Sequence, residues 1–190
     1  GVQTCALPIS AWLVRMEQSI LQAEQRIKDE TGQHHKWLAY PYGEFSDPLE
    51  ALVARLGFIG IGQQSGAIGP LTKLTRIPRY PAAGQYADLK ELSQKFRTLA
   101  FPITDYQAAN QVISANPPVL RLSVETDDFN PQQLRCYAGS AVLEPNWLNS
   151  KTFEVKAEKP LGKGRSRYNC TAPSLSKRGY FYWYSQPWLN

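Results

Sequence analysis

Between Trp12 and Thr31 the apolar residues Leu13, Met16, Ile20, Ala23 and Ile27 recur in alternating steps of three and four, with Arg, Glu, Gln and Lys between them. That period predicts one amphipathic helix, and Gly32 sits where a helix C-terminal glycine belongs. The short apolar run Trp37-Leu38-Ala39-Tyr40, stopped by Pro41, predicts a buried strand that ends in a loop. Asp47 as N-cap and Pro48 in the first turn predict a second helix, closing near Gly57, and "FIGIG" follows as another strand. A helix is expected over about Tyr86 to Leu99. Beyond Pro118 the period changes to two: Leu120, Leu122 and Val124 alternate with Arg121, Ser123 and Glu125, and Phe153, Val155 and Ala157 alternate with charged residues. In "YFYWYS" this period puts Tyr180, Tyr182 and Tyr184 on one face and Phe181 and Trp183 on the other.

Helix, strand, loop, helix, strand is the rhythm of a parallel α/β sheet or barrel, and the later alternation predicts a small all-β sandwich. The expected division is residues 11–105 for the α/β part and 106–190 for the β part. At 190 residues, 43% hydrophobic and 19% charged, the chain can bury a real core. No run reaches the roughly 18 apolar residues of a membrane span. The net charge of +5 is scattered, with no basic run, and is read as a solvated surface rather than a nucleic-acid site.

Residues 1–10, "GVQTCALPIS", carry no charge and no period, and lack the basic region and long apolar run of a signal peptide. They can be written codon by codon as a short sequencing-adapter sequence, so they are set aside as a non-native leader. That leaves Cys136 and Cys170. Either they form one disulfide, closing a loop worth about 4 kcal/mol and implying an oxidising compartment, or they are two buried thiols.

The sharpest chemistry lies in "LAYPYGEF", a Pro-Tyr-Gly turn directly after a strand. In parallel α/β folds the carboxyl ends of strands gather polar loops and free backbone N–H groups. "LAYPYGEF", then "GFIGIGQQSGAIGP", then "RIPRYP", with a tail "GRSRYNCTAPS…YFYWYSQPW", resembles the polysaccharide deacetylases of the NodB-homology type, in particular bacterial members with a C-terminal β-domain. The resemblance covers residues 11–190. It implies the C-terminal part of a deformed (β/α) barrel that removes acetyl groups from N-acetylated polysaccharide in the periplasm or outside the cell. It also implies a divalent metal, commonly zinc, as a Lewis acid and activator of water. The tetrahedral oxyanion would be shared between the metal and the amide of Tyr42, a donor worth about 3 kcal/mol of barrier.

The departures from that family carry consequences. Its Asp-Asp and His-x-x-x-His motifs belong ahead of the first helix, where the leader-like residues stand, so the chain is expected to be a truncated form without its metal ligands. His34 and His35 are adjacent, and on extended backbone adjacent side chains diverge, which makes them poor partners for one metal. Ala39 occupies the place of a family Arg that orients the catalytic base, and Arg79 is the replacement expected from the sequence. The candidate catalytic residues are therefore Tyr42 and Arg79, and the candidate glycan-binding residues Pro41, Tyr42, Gln63, Gln64 and Ser65.

Two further stretches are weighed. The spacing in "GIGQQSGAIG" is not that of a dinucleotide fingerprint. The C-terminal aromatics are expected to pack the sandwich or its contact with the barrel more than to stack on sugars. The alternative function is a non-catalytic carbohydrate-binding or cell-surface module acting through the β-domain.

Overall fold

The computed structural model describes residues 6–107, 111–125 and 127–190. The chain is mixed α/β, with eleven strands and three α-helices among the described residues. Its helices are α1 (Ala6–Thr31), α2 (Asp47–Arg55) and α3 (Leu89–Lys95). Its strands are β1 (Trp37–Ala39), β2 (Ile59–Ile61), β3 (Thr98–Ala100), β4 (Ile103–Gln107), β5 (Val119–Val124), β6 (Arg135–Ala138), β7 (Ala141–Leu143), β8 (Asn146–Trp147), β9 (Thr152–Lys156), β10 (Arg165–Pro173) and β11 (Phe181–Leu189).

The first part is a βαβ unit. β1 and β2 pair in parallel, with Leu38 opposite Gly60, and α2 is the crossover. A single residue, Ile77, adds a parallel bridge to Ile61. Tyr40, Phe45, Leu49, Leu52, Val53 and Phe58 form its core, and Trp12, Leu13, Met16 and Ile20 of α1 close over them. Of the expected stripe Leu13, Met16 and Ile20 are half-buried on this core, whereas Ala23 and Ile27, beyond its edge, are exposed. Glu17 grips Arg55 of α2 at 2.8 Å on the rim. Among the described residues these strands form an open sheet, not a closed barrel.

Several boundaries differ from the sequence reading. α1 begins at Ala6, inside the segment set aside as a leader, because extending a formed helix costs far less than nucleating one and Pro8 is tolerated in a first turn. Residues 1–5 lie outside the described residues. β1 is not buried: Trp37 is 66% exposed, since β1 has β2 on one side and no partner on the other among the described residues. Ser46, not Asp47, is the residue ahead of α2. The helix expected over 86–99 is instead a 3-10 turn, Gly84–Ala87, then α3, which starts afresh where the Asp88 carboxylate accepts from the Glu91 amide. Thr98–Ala100 leaves helix to pair in parallel with Phe181–Trp183, a tertiary pairing that overrides local preference.

The second part is a sandwich of two sheets, ordered β3-β11-β10-β6-β7 and β4-β5-β9-β8. Alternation drives it: Leu120, Leu122 and Val124 point inward against Tyr168, Cys170 and Ala172, while Arg121 on the outer face pairs with Glu154 at 2.8 Å. Tyr168 crosses the core, its hydroxyl donating to Pro118 O at 3.0 Å and accepting from the Ala157 amide at 3.1 Å. Cys136 and Cys170 oppose each other in register on β6 and β10 as a disulfide within this core. The boundary expected between residues 105 and 106 falls inside β4, and β3 also belongs to the sandwich, so its first strand precedes that boundary.

Candidate functional site

In a parallel pair both carboxyl ends emerge on one side, so the turn after β1 and the loop after β2 meet. Pro41–Gly43 is a 3-10 turn in which Tyr42 takes φ 57° and ψ 8°, a left-handed conformation uncommon for a side chain this large. The Gly43 and Glu44 amides close onto Tyr40 O and Pro41 O, while the Tyr42 amide takes no part in that ladder. Gly43 has φ 71°, and a Cβ there would lie 2.7 Å from Gln63 Cβ and 2.8 Å from Gln63 N. Glycine is required for the two loops to touch.

The β-sandwich fixes this turn from the other side. Gln111, 2% exposed, accepts from the Phe45 amide at 2.6 Å and donates to Gly43 O at 3.0 Å, as one more strand would. Its own carbonyl accepts from the Leu189 amide at 2.7 Å, which ties the turn to the end of β11. From β10, the Arg165 guanidinium lies 5.1 Å from the centre of the Tyr42 ring and pairs with Glu44 at 3.3 Å. Tyr42 remains 68% exposed. Backbone strain held by a packed surround is a signature of working sites.

Beneath the turn is a buried ion pair. Arg76 (8% exposed) donates from Nε to Glu50 Oε1 at 2.8 Å and from its terminal nitrogen to Glu50 Oε2. Thr75 Oγ1 donates to the same carboxylate at 2.5 Å, and the guanidinium packs 5.2 Å from the Phe45 ring. Burial pushes the Glu50 carboxyl up, but the Arg76 and Thr75 hydrogen bonds outweigh it and hold the group below its ordinary value. Burial likewise pushes the neighbouring Tyr184 phenol up, so it stays neutral. The cavity between Phe45, Arg76, Tyr106 and Tyr184 measures about 40 Å³, room for water but not for a sugar.

Two larger hollows flank the turn. One, of about 360 Å³, is bordered by Tyr42, Gly43, Gln63, Arg165 and Arg167. The other, of about 790 Å³, is bordered by Ser65, Arg79, Tyr80, Lys95 and Trp183, and it shares Gln63 and Arg167 with the first. They form one trough between the βαβ unit and the outer face of β10 and β11.

Of the residues expected from sequence, Tyr42 and Gln63 are exposed and border the first hollow, while Pro41 is exposed in the same turn but borders neither hollow. Ser65 and Arg79 border the far half of the trough, so Tyr42 and Arg79 do not share a hollow. Gln64 also borders the first hollow, but it is 8% exposed and its Nε2 donates to Arg76 O at 2.8 Å, so packing holds its amide and Gln63 is the more open of the two. Trp183 faces the trough edge-on to Tyr80 at 5.8 Å, whereas Trp188 and Tyr182 are buried in the sandwich. Sequence reasoning missed Arg76, Gln111, Arg165 and Arg167. The alternation in "GRSRYN" places the last two on one strand face and is the signal that was available.

His34 and His35 precede β1, on the side of the sheet opposite the turn, where Glu24 Oε1 sits 3.2 Å from His34 Nδ1 and accepts from the His35 and Lys36 amides. Among the described residues no three His, Cys, Asp or Glu side chains gather as a metal site. No helix among the described residues is long and apolar enough to cross a membrane. No protein-family profile, curated protein or solved structure matches the chain.

Proposed function

We propose that the trough at Pro41–Gly43 is the glycan-binding wall of a polysaccharide deacetylase of the NodB-homology type, a hydrolase of acetamido groups on polysaccharide in the periplasm or outside the cell. The observation that carries this reading is the strained, exposed Tyr42 at the carboxyl end of a parallel pair, in a turn whose Gly43 packs on Gln63 and which is braced from the β-sandwich. The βαβ unit is then the visible arc of a (β/α) barrel, and the disulfide suits an oxidising compartment.

In this reading the Tyr42 ring and the Gln63 amide position a sugar, and the Tyr42 amide, unused by its own turn, donates to the oxyanion formed at the acetyl carbon. The described residues do not fit the zinc such enzymes use. No suitable donor cluster is present among the described residues, and the two histidines stand at the opposite end. The metal chemistry is therefore not built from them, and their contribution is binding and orientation.

The test separates binding from turnover. The chain is expected to bind chitohexaose weakly, to release no acetate from it with zinc present, and to lose binding at least about tenfold in Tyr42→Gly, which keeps the left-handed backbone and removes only the ring. Acetate release by the chain alone would contradict a role limited to binding and orientation, and undiminished binding in Tyr42→Gly would contradict the site.

The second reading, a non-catalytic carbohydrate-binding module, is favoured by Trp183 and Asn169 facing outward from the sandwich. It predicts that Trp183→Ala, not Tyr42→Gly, removes binding. Because β3 and β4 belong to the sandwich, the whole chain is the object to test, not residues 106–190.

A further inference from the structure

The far half of the trough holds an imbalance that the proposed function does not use. Arg79, Lys95 and Arg167 all border it, and among the described residues none of the three has a carboxylate partner. One carboxylate, Glu91, stands on the same wall. Arg165, by contrast, is already paired with Glu44. Two polar atoms here are shielded from solvent with no hydrogen-bond partner: Lys95 Nζ, which lies 5.1 Å from the centre of the Tyr86 ring, and Asn169 Oδ1. A shielded ammonium without an acceptor is costly, and a shielded amide oxygen without a donor is costly too.

One kind of ligand suits this lining. A carboxylate accepts from the exposed forks of Arg79 and Arg167, the Lys95 ammonium behind them adds positive charge without touching the ligand, and the rings of Trp183, Tyr80 and Tyr86 offer apolar faces to pyranose rings. Tyr80 is held for this by donating its hydroxyl to Thr98 Oγ1 at 2.9 Å. A phosphodiester polymer would meet the charges but leaves this aromatic and amide lining to chance.

We propose that Arg79 and Arg167, with the charge of Lys95 behind them, form a subsite for an acidic glycan, so that the polymer bound across the trough carries a carboxylate in the far half, away from the ring at Tyr42. This rests on the glycan reading of the trough but not on its acetamide chemistry.

The experiment compares four probes on the whole chain by calorimetry at low salt: hyaluronan hexasaccharide (N-acetylated and acidic), chitohexaose (N-acetylated and neutral), hexagalacturonate (acidic without acetamide) and an oligothymidylate. Hyaluronan hexasaccharide is expected to bind at least about tenfold tighter than chitohexaose, the scale of one or two charged hydrogen bonds. Arg167→Gln combined with Lys95→Met is expected to erase that preference. Arg167 is exposed, so Arg167→Gln alone serves if the double variant melts early.

Equal binding of hyaluronan and chitohexaose overturns the acidic subsite and leaves the deacetylase reading in place. A preference that survives in the variant also overturns it, as does oligothymidylate displacing hyaluronan at equal affinity. Hexagalacturonate binding as tightly as hyaluronan, with chitohexaose not bound, supports the acidic subsite and removes the acetamide reading. Failure of every glycan to bind overturns both.

Discussion

Arg76→Met is expected to destabilise the chain by about 3–5 kcal/mol, read from the midpoint of urea unfolding, because it strands the Glu50 carboxylate in a buried site. Glu50 is 9% exposed, and its hydrogen-bond partners are Arg76 and Thr75. The double variant Arg76→Met with Glu50→Leu should recover most of the loss, since an apolar pair asks for no compensation. The pair also gives a signed pH dependence. In the native chain the Glu50 carboxyl is held below its ordinary 4.5, so its contribution is complete above that value and drains away as pH falls through the folded pKa. In Arg76→Met burial is no longer opposed by the arginine and raises the carboxyl. The deficit of that variant should therefore shrink on acidification, as Glu50 takes up a proton. A deficit constant from neutral to acid pH would remove the ion pair from the account.

The second large effect concerns the sandwich. Cys136→Ala with Cys170→Ala is expected to cost about 4 kcal/mol, from the entropy regained by an unfolded loop of 34 residues. For a chain of this length that corresponds to a melting temperature lower by roughly 10 °C. A thiol reductant should lower the native chain by the same amount and leave the variant unmoved. Both cysteines are wholly buried, so full reduction should require prior unfolding.

What was legible in the sequence follows from how local each signal is. The α1 helix with the first half of its stripe, the turn at Gly57 and the alternation of β5 and β9 depend on residues a few positions apart, and they stand where periodicity puts them; Ala23 and Ile27 fit the same period but have no neighbour among the described residues to bury them. The end of α3 was misjudged because Thr98–Ala100 takes its conformation from a strand more than eighty residues away. The same holds at the site. A Pro-Tyr-Gly turn after an apolar run announces Tyr42, but nothing near Gln111 in sequence announces that its side chain will bridge Phe45 and Gly43. Gln63 and Gln64 are indistinguishable by composition. A one-residue difference in direction leaves one open at the trough and holds the other's amide on the Arg76 carbonyl. The cations of the trough come from three separate segments, so they look scattered along the chain and gather only once β10 is laid against the βαβ unit.

The account turns on the carboxyl ends of β1 and β2 being the place where a glycan sits. Backbone amide chemical-shift mapping of the whole chain during titration with chitohexaose tests this directly. The largest changes are expected at residues 42–44, at 63–65 and at 165–167, with little at the loop 32–36 on the opposite end of the sheet. Changes confined to that opposite loop or to the outer faces of β5 and β9, with residues 42–44 silent, would contradict it.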